Sequence, residues 1–245
     1  MKKLVLLCTG IIIFIGTTSS KAQDDCCGMG SIFSSILGSG IFGGYGFQQY
    51  SAEGLNGLIS DNPILAENFT DFGFAHGWRA GANIIGIRQH DLLATFKVYY
   101  QSVKELQEAG SGDETQDLEL ELNSWALGLG LSYIINNNFD IRILDALMTF
   151  NSANLTNDIH SVSGGNSKQE FESPESNIGF SFDAGLVYYP FPPYLAIEVI
   201  GGYSFFAIET MVDKEDFIEL ETNGDFINGG GFFATAVLTI GIPFN

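Results

Sequence analysis

The fold is decided by the stretch at residues 232–245, FFATAVLTIGIPFN, in which apolar residues recur at every second position. The apolar series consists of Phe232, Ala234, Ala236, Leu238, Ile240, Ile242 and Phe244. The alternate series includes the small or polar residues Thr235, Thr239, Gly241 and Asn245. Because neighbouring side chains of a β-strand point to opposite faces, this pattern predicts a strand with one apolar face. Such a face requires an apolar environment along its length.

The same alternation recurs in five further segments: residues 74–87, 92–103, 124–134, 178–189 and 194–208. Residues 139–150 begin in the same way, but their apolar positions change from odd to even numbers near Ile143. That change of parity predicts a β-bulge. Residues 40–50 are rich in glycine and supply one more strand, whose register is not defined by the pattern, so that eight strands are predicted in all.

The connections between these strands alternate in length. Residues 88–91, 135–138 and 190–193 are short turns, and the long connections lie at residues 51–72, 104–117, 151–176 and 210–229. An even number of strands with short turns at one end and long loops at the other is typical of outer-membrane barrels. We therefore predict an all-β fold, an eight-stranded antiparallel up-and-down transmembrane β-barrel, at residues 40–245.

A soluble ligand-binding barrel is the alternative for eight such strands, but it would direct its large apolar side chains inward. Here one face carries Phe, Leu, Ile, Tyr and Trp, whereas the other is mostly Gly, Ser and Thr. This division favours a lipid-facing exterior and a narrow polar lumen. Aromatic residues near the strand ends are expected to form the two interfacial girdles: Tyr100, Tyr133, Tyr188, Phe205 and Phe244.

The composition and the N-terminus indicate an exported, folded protein. Of the 245 residues, 45% are hydrophobic, which excludes a disordered chain, and the net charge of −19 makes nucleic-acid binding unfavourable. A basic start, an apolar run and the small residues Ser20 and Ala22 predict a signal peptide at residues 1–22. Its removal leaves seven basic and 29 acidic residues, a net charge of −22.

Residues 23–39 are predicted to form a periplasmic tail that contains Cys26 and Cys27. Two adjacent cysteines do not connect distant parts of a fold, and two thiolates fall short of the four ligands of a structural zinc site. A vicinal or an intermolecular disulfide is the simpler expectation for this pair. We assign no cofactor and no metal site to the chain.

With these features, residues from about 40 to 245 resemble the small outer-membrane β-barrels of Gram-negative bacteria, such as the transmembrane domain of outer membrane protein A. The residues around Lys21 and Ala22, Ser-Lys-Ala-Gln, are similar to signal-peptide ends of Bacteroidota. Members of the class commonly end in an aromatic residue that the barrel-assembly machinery reads, but here Phe244 is penultimate. The resemblance implies a monomer in contact with outer-membrane lipid, with both termini in the periplasm.

The inward faces of the predicted strands carry three cations and three anions: Arg79, Lys97, Arg142, Asp145, Asp183 and Glu198. Buried charges need partners, so we predict an ion-pair network that fills the lumen, as the resemblance also implies. The alternative is a gated pore whose selectivity these charges set. An eight-stranded barrel has an interior just wide enough for side chains to fill, which favours the plug.

The long loops, together with the flanking residues Glu119, Glu121 and Glu209, hold 22 of the 29 acidic residues, against only Lys104, Lys168 and Lys214. A solvated surface is the simplest interpretation. The functional alternative is capture of divalent cations or of a basic partner, although no EF-hand spacing is present. Within the first long loop, residues 51–59 have apolar residues at helical spacing and are predicted to form a short helix over the barrel mouth.

Catalysis forms a separate class of function. His76 and His160 are expected near the outer rim with Ser161 and Ser163, whereas His90 is expected in a periplasmic turn. No spacing joins them in a catalytic motif, so no catalytic residue is assigned. We expect a non-enzymatic barrel with a structural, adhesion or docking role. A narrow channel or carrier for small or apolar solutes is the second expectation, and a lipid-modifying enzyme is the third.

Overall fold

The computed structural model describes residues 39–61, 69–111, 114–161, 165–220 and 224–241. Several predictions concern residues outside these ranges: the signal peptide, Cys26, Cys27, Ser163, Ile242, Phe244 and Asn245, and three of the acidic residues counted in the long loops, Glu67, Asp113 and Glu221. The strands are β1 (Gly40–Gln49), β2 (Phe74–Gln89), β3 (Leu92–Ser111), β4 (Glu114–Asn136), β5 (Phe139–Ser161), β6 (Gly165–Glu172), β7 (Asn177–Phe191), β8 (Leu195–Phe205), β9 (Ala207–Ile208), β10 (Val212–Asp213), β11 (Ile227–Asn228) and β12 (Phe232–Gly241). A helix, α1 (Glu53–Asp61), follows β1 and confirms the helix predicted there. None of the helical residues that the structure describes belongs to a helix long and apolar enough to cross a membrane.

Eight of the strands close into a ring, in the order β1, β2, β3, β4, β5, β7, β8 and β12. Each is antiparallel to both neighbours. The ring closes between β12 and β1, where Tyr45 lies opposite Ala236. Closure removes the open edges that a flat sheet would expose. The predicted eight-stranded, antiparallel, up-and-down barrel is therefore confirmed.

The outer surface of the ring is an apolar band. In β12, Phe232, Leu238 and Ile240 point outward and are exposed. Thr235 and Thr239 point inward and are buried. Strands can cross lipid only when a closed ring pairs all their backbone groups and presents apolar side chains outward. The ring is thus a transmembrane β-barrel.

Aromatic side chains mark both ends of the apolar band. Towards one end, Tyr100 contacts Trp78 and Trp125 with ring centroids 5.5 and 5.1 Å apart. Towards the other end, Phe139 contacts Tyr188 at 4.8 Å. The second end is also where the short turns lie and where Gly40 pairs with Gly241, the first and last residues of the ring strands.

The predicted bulge near Ile143 is confirmed. Ser132 of β4 pairs with Arg142 and the preceding Leu131 pairs with Leu144, so that Ile143 is an extra residue in β5. Both Ile143 and Leu144 are exposed on the outer surface. The bulge therefore restores the outward direction of the apolar residues after the change of parity.

Strand β4 continues well beyond the apolar band, and its two faces exchange polarity on the way. Leu118, Leu120 and Leu122 point inward and are buried. Past Asn123 it is the outward positions that are apolar, beginning with Trp125. The pairing with β3 stays in register across this point, so the exchange reflects a change of surroundings rather than a twist or a bulge.

The prediction of long loops at residues 104–117 and 151–176 is wrong for most of their length. β3 runs to Ser111 and β4 starts at Glu114, so these strands form a long hairpin. β5 runs to Ser161, and β6 pairs with its outer part from Asn154 to Ser161. Most of the described acidic residues in these segments lie on the outward face of a regular sheet, because the alternate positions face a core. Glu105 is an exception, since it points inward and accepts a hydrogen bond from the buried Tyr50 hydroxyl group.

We call the part of the molecule beyond the apolar band the cap: the described residues within 50–73, 102–123, 152–176 and 206–231. It has a hydrophobic core of its own, formed by Tyr50, Ala52, Leu55, Ile59, Phe69, Phe72, Val103, Leu118, Leu120, Leu122, Ala153, Leu155, Phe206, Ile208, Met211, Phe226 and Ile227, with Ala75 at its base. This core packs like that of a water-soluble domain. The cap therefore has an apolar inside and a polar outside, the reverse of the barrel.

Helix α1 is held at the mouth of the barrel by specific contacts. The Asn56 side chain donates a hydrogen bond to the Phe72 carbonyl oxygen (3.0 Å) and accepts one from the Phe72 amide (2.8 Å). The Leu55 amide donates to the Phe226 carbonyl oxygen at 3.4 Å. Gly54 permits this close approach, since a Cβ atom there would lie 2.6 Å from the Asp225 carbonyl oxygen.

Candidate functional site

The barrel interior contains all six charged residues that the sequence places in the lumen. Arg79 is on β2, Lys97 on β3, Arg142 and Asp145 on β5, Asp183 on β7, and Glu198 on β8. Each is at most 5% exposed. The small inward residues of β4 make room for them, because a Cβ atom at Gly130 would collide with the Asp145 carboxylate.

Four of the six charges form one chain of ion pairs. Lys97 binds Asp145, whose Oδ2 atom also lies 3.5 Å from Arg142 Nε. Arg142 Nη2 contacts Glu198 Oε2 at 2.7 Å. Residues three apart on a regular strand face opposite sides, so the bulge at Ile143 is what directs Arg142 and Asp145 into the same lumen. The chain ends at Thr239, whose hydroxyl group donates to Glu198 at 2.6 Å.

Arg79 has partners of a different kind from those that an ion-pair network predicts. Its Nε and Nη2 atoms donate to Gln101 Oε1 at 3.2 and 2.7 Å. Its guanidinium group lies over the rings of Tyr99 and Phe233, 4.6 and 5.2 Å from their centroids. Such contacts stabilise a buried cation without a carboxylate partner.

A chain of amide and hydroxyl groups continues from Gln101 across the lumen. Gln101 Nε2 donates to Gln48 Oε1 at 2.7 Å, and Gln48 Nε2 donates to Ser204 Oγ at 3.1 Å. The sequence does not indicate this part of the site, because the glycine-rich β1 defines no register for Gln48. The only sign of these hydrogen bonds in the sequence is that neutral polar side chains occupy inward positions of the strands.

Asp183 lies directly opposite Asp145 in the pairing of β7 with β5. Among the residues that the structure describes, Asp183 forms no ion pair within 4 Å, and its Oδ1 atom has no hydrogen-bond partner. It lines a cavity shared with Arg79, Lys97 and Arg142 whose volume is about 10 Å³. A volume of this size holds roughly one water molecule.

The outward face of the cap sheet is strongly acidic. Glu108, Asp117 and Asp158 lie directly opposite one another on three adjacent strands. Like charges in such positions repel each other and destabilise the sheet. In the described part of the cap, no group of three or more His, Cys, Asp or Glu side chains is arranged to hold a metal ion.

The three lysines of the cap are already paired with carboxylates. Lys104 Nζ lies 2.7 Å from Glu119 and 3.4 Å from Glu121, and the hydrogen bond to Glu119 raises the pKa of Lys104. Lys168 and Lys214 both contact Glu170, and hydrogen bonds from them lower the pKa of that carboxyl group. The acidic side chains that do not contact these lysines therefore give this surface its negative charge.

A cleft of about 580 Å³ opens on the cap beside helix α1. Four carboxylates line it, from Glu53, Asp61, Glu209 and Glu219, around Leu58 and Leu220. The sequence marks these acids only as members of loops. The packing of α1 against residues 225–226 makes them neighbours.

The histidines considered for catalysis lie in separate places. His76 is on β2, where its Nδ1 atom lies 2.6 Å from the Tyr45 hydroxyl group. His160 lies at the outer end of β5, 3.6 Å from Asp158, and the adjacent Ser161 is on the opposite face of the strand. His90 is in the turn between β2 and β3. The structure therefore does not bring His76 and His160 together with Ser161.

No protein-family model matches the chain, and no curated protein sequence matches it. The solved structures that are similar in fold include the following three. Neisserial surface protein A is 14% identical with a TM-score of 0.41, and the match covers 83% of this chain and 97% of that one. Ail, the attachment invasion locus protein of Yersinia pestis, in complex with the heparin analogue sucrose octasulfate, is 13% identical with a TM-score of 0.40, covering 84% and 98%. The outer membrane protease OmpT from Escherichia coli is 12% identical with a TM-score of 0.41, covering 84% and 95%. At these identities the likeness is one of fold alone.

Proposed function

We propose that this barrel is a non-enzymatic protein of the bacterial outer membrane that does not conduct ions and holds the cap outside the cell as a docking surface for a basic partner. In this orientation the short turns and both termini lie in the periplasm. The observation that carries the proposal is the contrast between a lumen filled by side chains and a well-packed cap above it.

The filled lumen supports a scaffold rather than a channel. The ion-paired residues leave a cavity of only about 10 Å³ among them, and helix α1 and residues 225–227 cover the mouth. An ion that crossed would have to displace the paired charges, which are costly to separate in a low-dielectric interior.

The docking role is supported by the acidic row of Glu108, Asp117 and Asp158. Its mutual repulsion works against folding, and a basic partner would relieve it. Lys168 lies opposite Asp158 at one end of the row but contacts Glu170, and Lys104 and Lys214 contact other carboxylates. Glu108 and Asp117 therefore form no ion pair with a described lysine in the free protein. Recognition of this kind weakens as salt is added.

Two measurements on the refolded protein test the proposal. In planar bilayers we expect no steady current, and a steady current would establish the channel alternative. In nanodiscs we expect a lysine-rich peptide to bind with a salt-dependent affinity, whereas the matching glutamate-rich peptide does not bind. The combined variant Glu108→Gln, Asp117→Asn, Asp158→Asn should bind the lysine-rich peptide more weakly. Equal affinity of the variant and the unaltered protein would contradict the role of the row.

A further inference from the structure

Phe217 and Ile218 form an exposed apolar tip on the cap. Phe217 is 79% exposed, more than any other large hydrophobic residue in the described chain, including those that face lipid, and Ile218 is 65% exposed. Leu106, at 52%, is the one further large hydrophobic residue exposed on the described part of the cap. Two adjacent, exposed apolar side chains beyond the membrane mark an interaction site more often than isolated ones do.

The turn that carries the tip is well defined. Asp213 Oδ1 accepts hydrogen bonds from the amides of Glu215 (2.7 Å) and Asp216 (3.2 Å). The Asp213 amide donates to the Ile218 carbonyl oxygen at 2.9 Å, and the Phe217 amide donates to the Asp213 carbonyl oxygen at 3.0 Å. The hairpin is anchored on β6, where Val212 pairs with Glu172.

Phe217 occupies a backbone conformation that suits glycine. Its φ angle is +57°, in the left-handed region, where a bulky residue is unusual and costs energy. A glycine there would fold at least as well and would leave no exposed aromatic ring. A ring that adds strain and buries little surface within its own chain has no role in folding that explains its position.

We infer that Phe217 and Ile218 are an anchor that inserts into an apolar pocket on a protein partner, and that positively charged side chains surround this pocket. The inference rests on the proposed docking function and adds the contact that would give it affinity. The charge of the rim follows from Glu215, Asp216 and Glu219 beside the tip, since Lys214 is paired with Glu170 and Glu172. Pre-ordering of the turn lowers the entropic cost of binding, and aromatic anchors in pockets dominate many interfaces.

A lipid surface and a second copy of the chain fit the tip less well. The acidic neighbours of Phe217 repel the negative surface of an anionic membrane. A second copy would have to supply a basic pocket, but the cap lysines Lys104, Lys168 and Lys214 are held in ion pairs. The charge complementarity therefore favours a different, basic protein.

A random peptide library, selected against the protein in nanodiscs, tests the anchor without a known partner. We expect enriched peptides to combine positive charge with large apolar residues. Phe217→Gly and Phe217→Asn, both suited to the left-handed conformation, should weaken their binding by about tenfold or more. Phe217→Trp should retain most of it, and the control Leu106→Ser should change affinity by less than about twofold.

The outcomes separate the anchor from the docking function. Basic peptides that bind Phe217→Gly as tightly as the unaltered protein would overturn the anchor and leave the acidic docking surface standing. Peptides that need Phe217 but carry no positive charge would keep the apolar contact but overturn the inferred basic rim, and they would also contradict docking by charge. Sedimentation with phosphatidylcholine vesicles that depends on Phe217 would assign the tip to a membrane and overturn the protein-partner inference.

Discussion

The lumen and the cap core are two interiors built by the same strands, yet they are opposite in chemistry. Along the inward face of β5, Arg142 and Asp145 form ion pairs, whereas Ala153 and Leu155 lie in a hydrophobic core. The difference follows from what surrounds each level of the sheet. Where lipid takes the apolar side chains on the outside, the inside is polar, and where water surrounds the sheet, apolar side chains turn inward.

Removal of one lumen charge should have the largest effect. Arg142→Ala leaves Asp145 and Glu198 without this partner in a buried site, and we expect a loss of about 3–5 kcal/mol in the free energy of unfolding. This loss is measured by urea titration in micelles, with the folded fraction read from heat-modifiable gel mobility. Arg88→Ala, at an exposed position near a short turn, is the control. Equal losses in the two variants would show that the ion pairs do not hold the barrel together.

A cavity in the cap core should lower the stability of the cap more than the same substitution on the lipid-facing surface of the barrel does. Leu120→Ala on β4 removes a fully buried side chain, for which we expect about 2–5 kcal/mol. Leu129→Ala lies on the same strand but faces lipid, whose chains can fill the space, so its cost should be smaller. Hydrogen exchange of cap amides gives the free energy of cap opening in both variants. A larger loss in Leu129→Ala would contradict the existence of a packed cap core.

The pH dependence of the cap should come in part from Tyr50. Burial and a hydrogen bond to Glu105 (2.6 Å) raise the pKa of Tyr50 above its ordinary value of 10.0. The stabilisation is therefore complete below about pH 10 and declines at higher pH, where the unfolded side chain ionises and the folded one does not. Tyr50→Phe should lower cap stability by about 1–2 kcal/mol at neutral pH. It should also flatten this alkaline decline, and an unchanged decline would assign it to other groups.

The smallest expected effect is a gain. Phe217→Gly relieves the left-handed strain, partly offset by the greater freedom of glycine in the unfolded chain, so we expect cap stability to rise by up to about 1 kcal/mol. Thermal unfolding of Phe217→Gly and of the unaltered protein, measured side by side, tests this expectation. Ile218→Gly, at a position without a positive φ angle, should be less stable than the unaltered chain. A clear loss in Phe217→Gly would mean that the ring stabilises the cap.

The sequence predicts the ring well, because the alternation of apolar and polar residues shows which side of each strand is apolar. The bulge at Ile143 is visible as a change of the apolar positions from odd to even numbers. The sequence is misleading for residues 114–122, where leucines alternate with acidic residues just as regularly. The many charged residues there indicate a loop, but the alternation predicts a strand whether its apolar face meets lipid or a protein core. The register of β1 and the partners of Arg79 depend on contacts between residues that are distant in sequence. Such contacts do not produce a periodic pattern from which they could be predicted.

Hydrogen exchange in nanodiscs tests the central claim most directly, namely that the strands continue beyond the membrane as a folded cap. β4 pairs with β3 from Glu114 to Tyr133 and with β5 from Glu114 to Asn136, so amides at residues 115–122 should exchange slowly, as those at residues 124–133 within the barrel do. Exchange of residues 115–122 at the rate of an unstructured peptide, with residues 124–133 still protected, would reduce the cap to flexible loops and contradict the account.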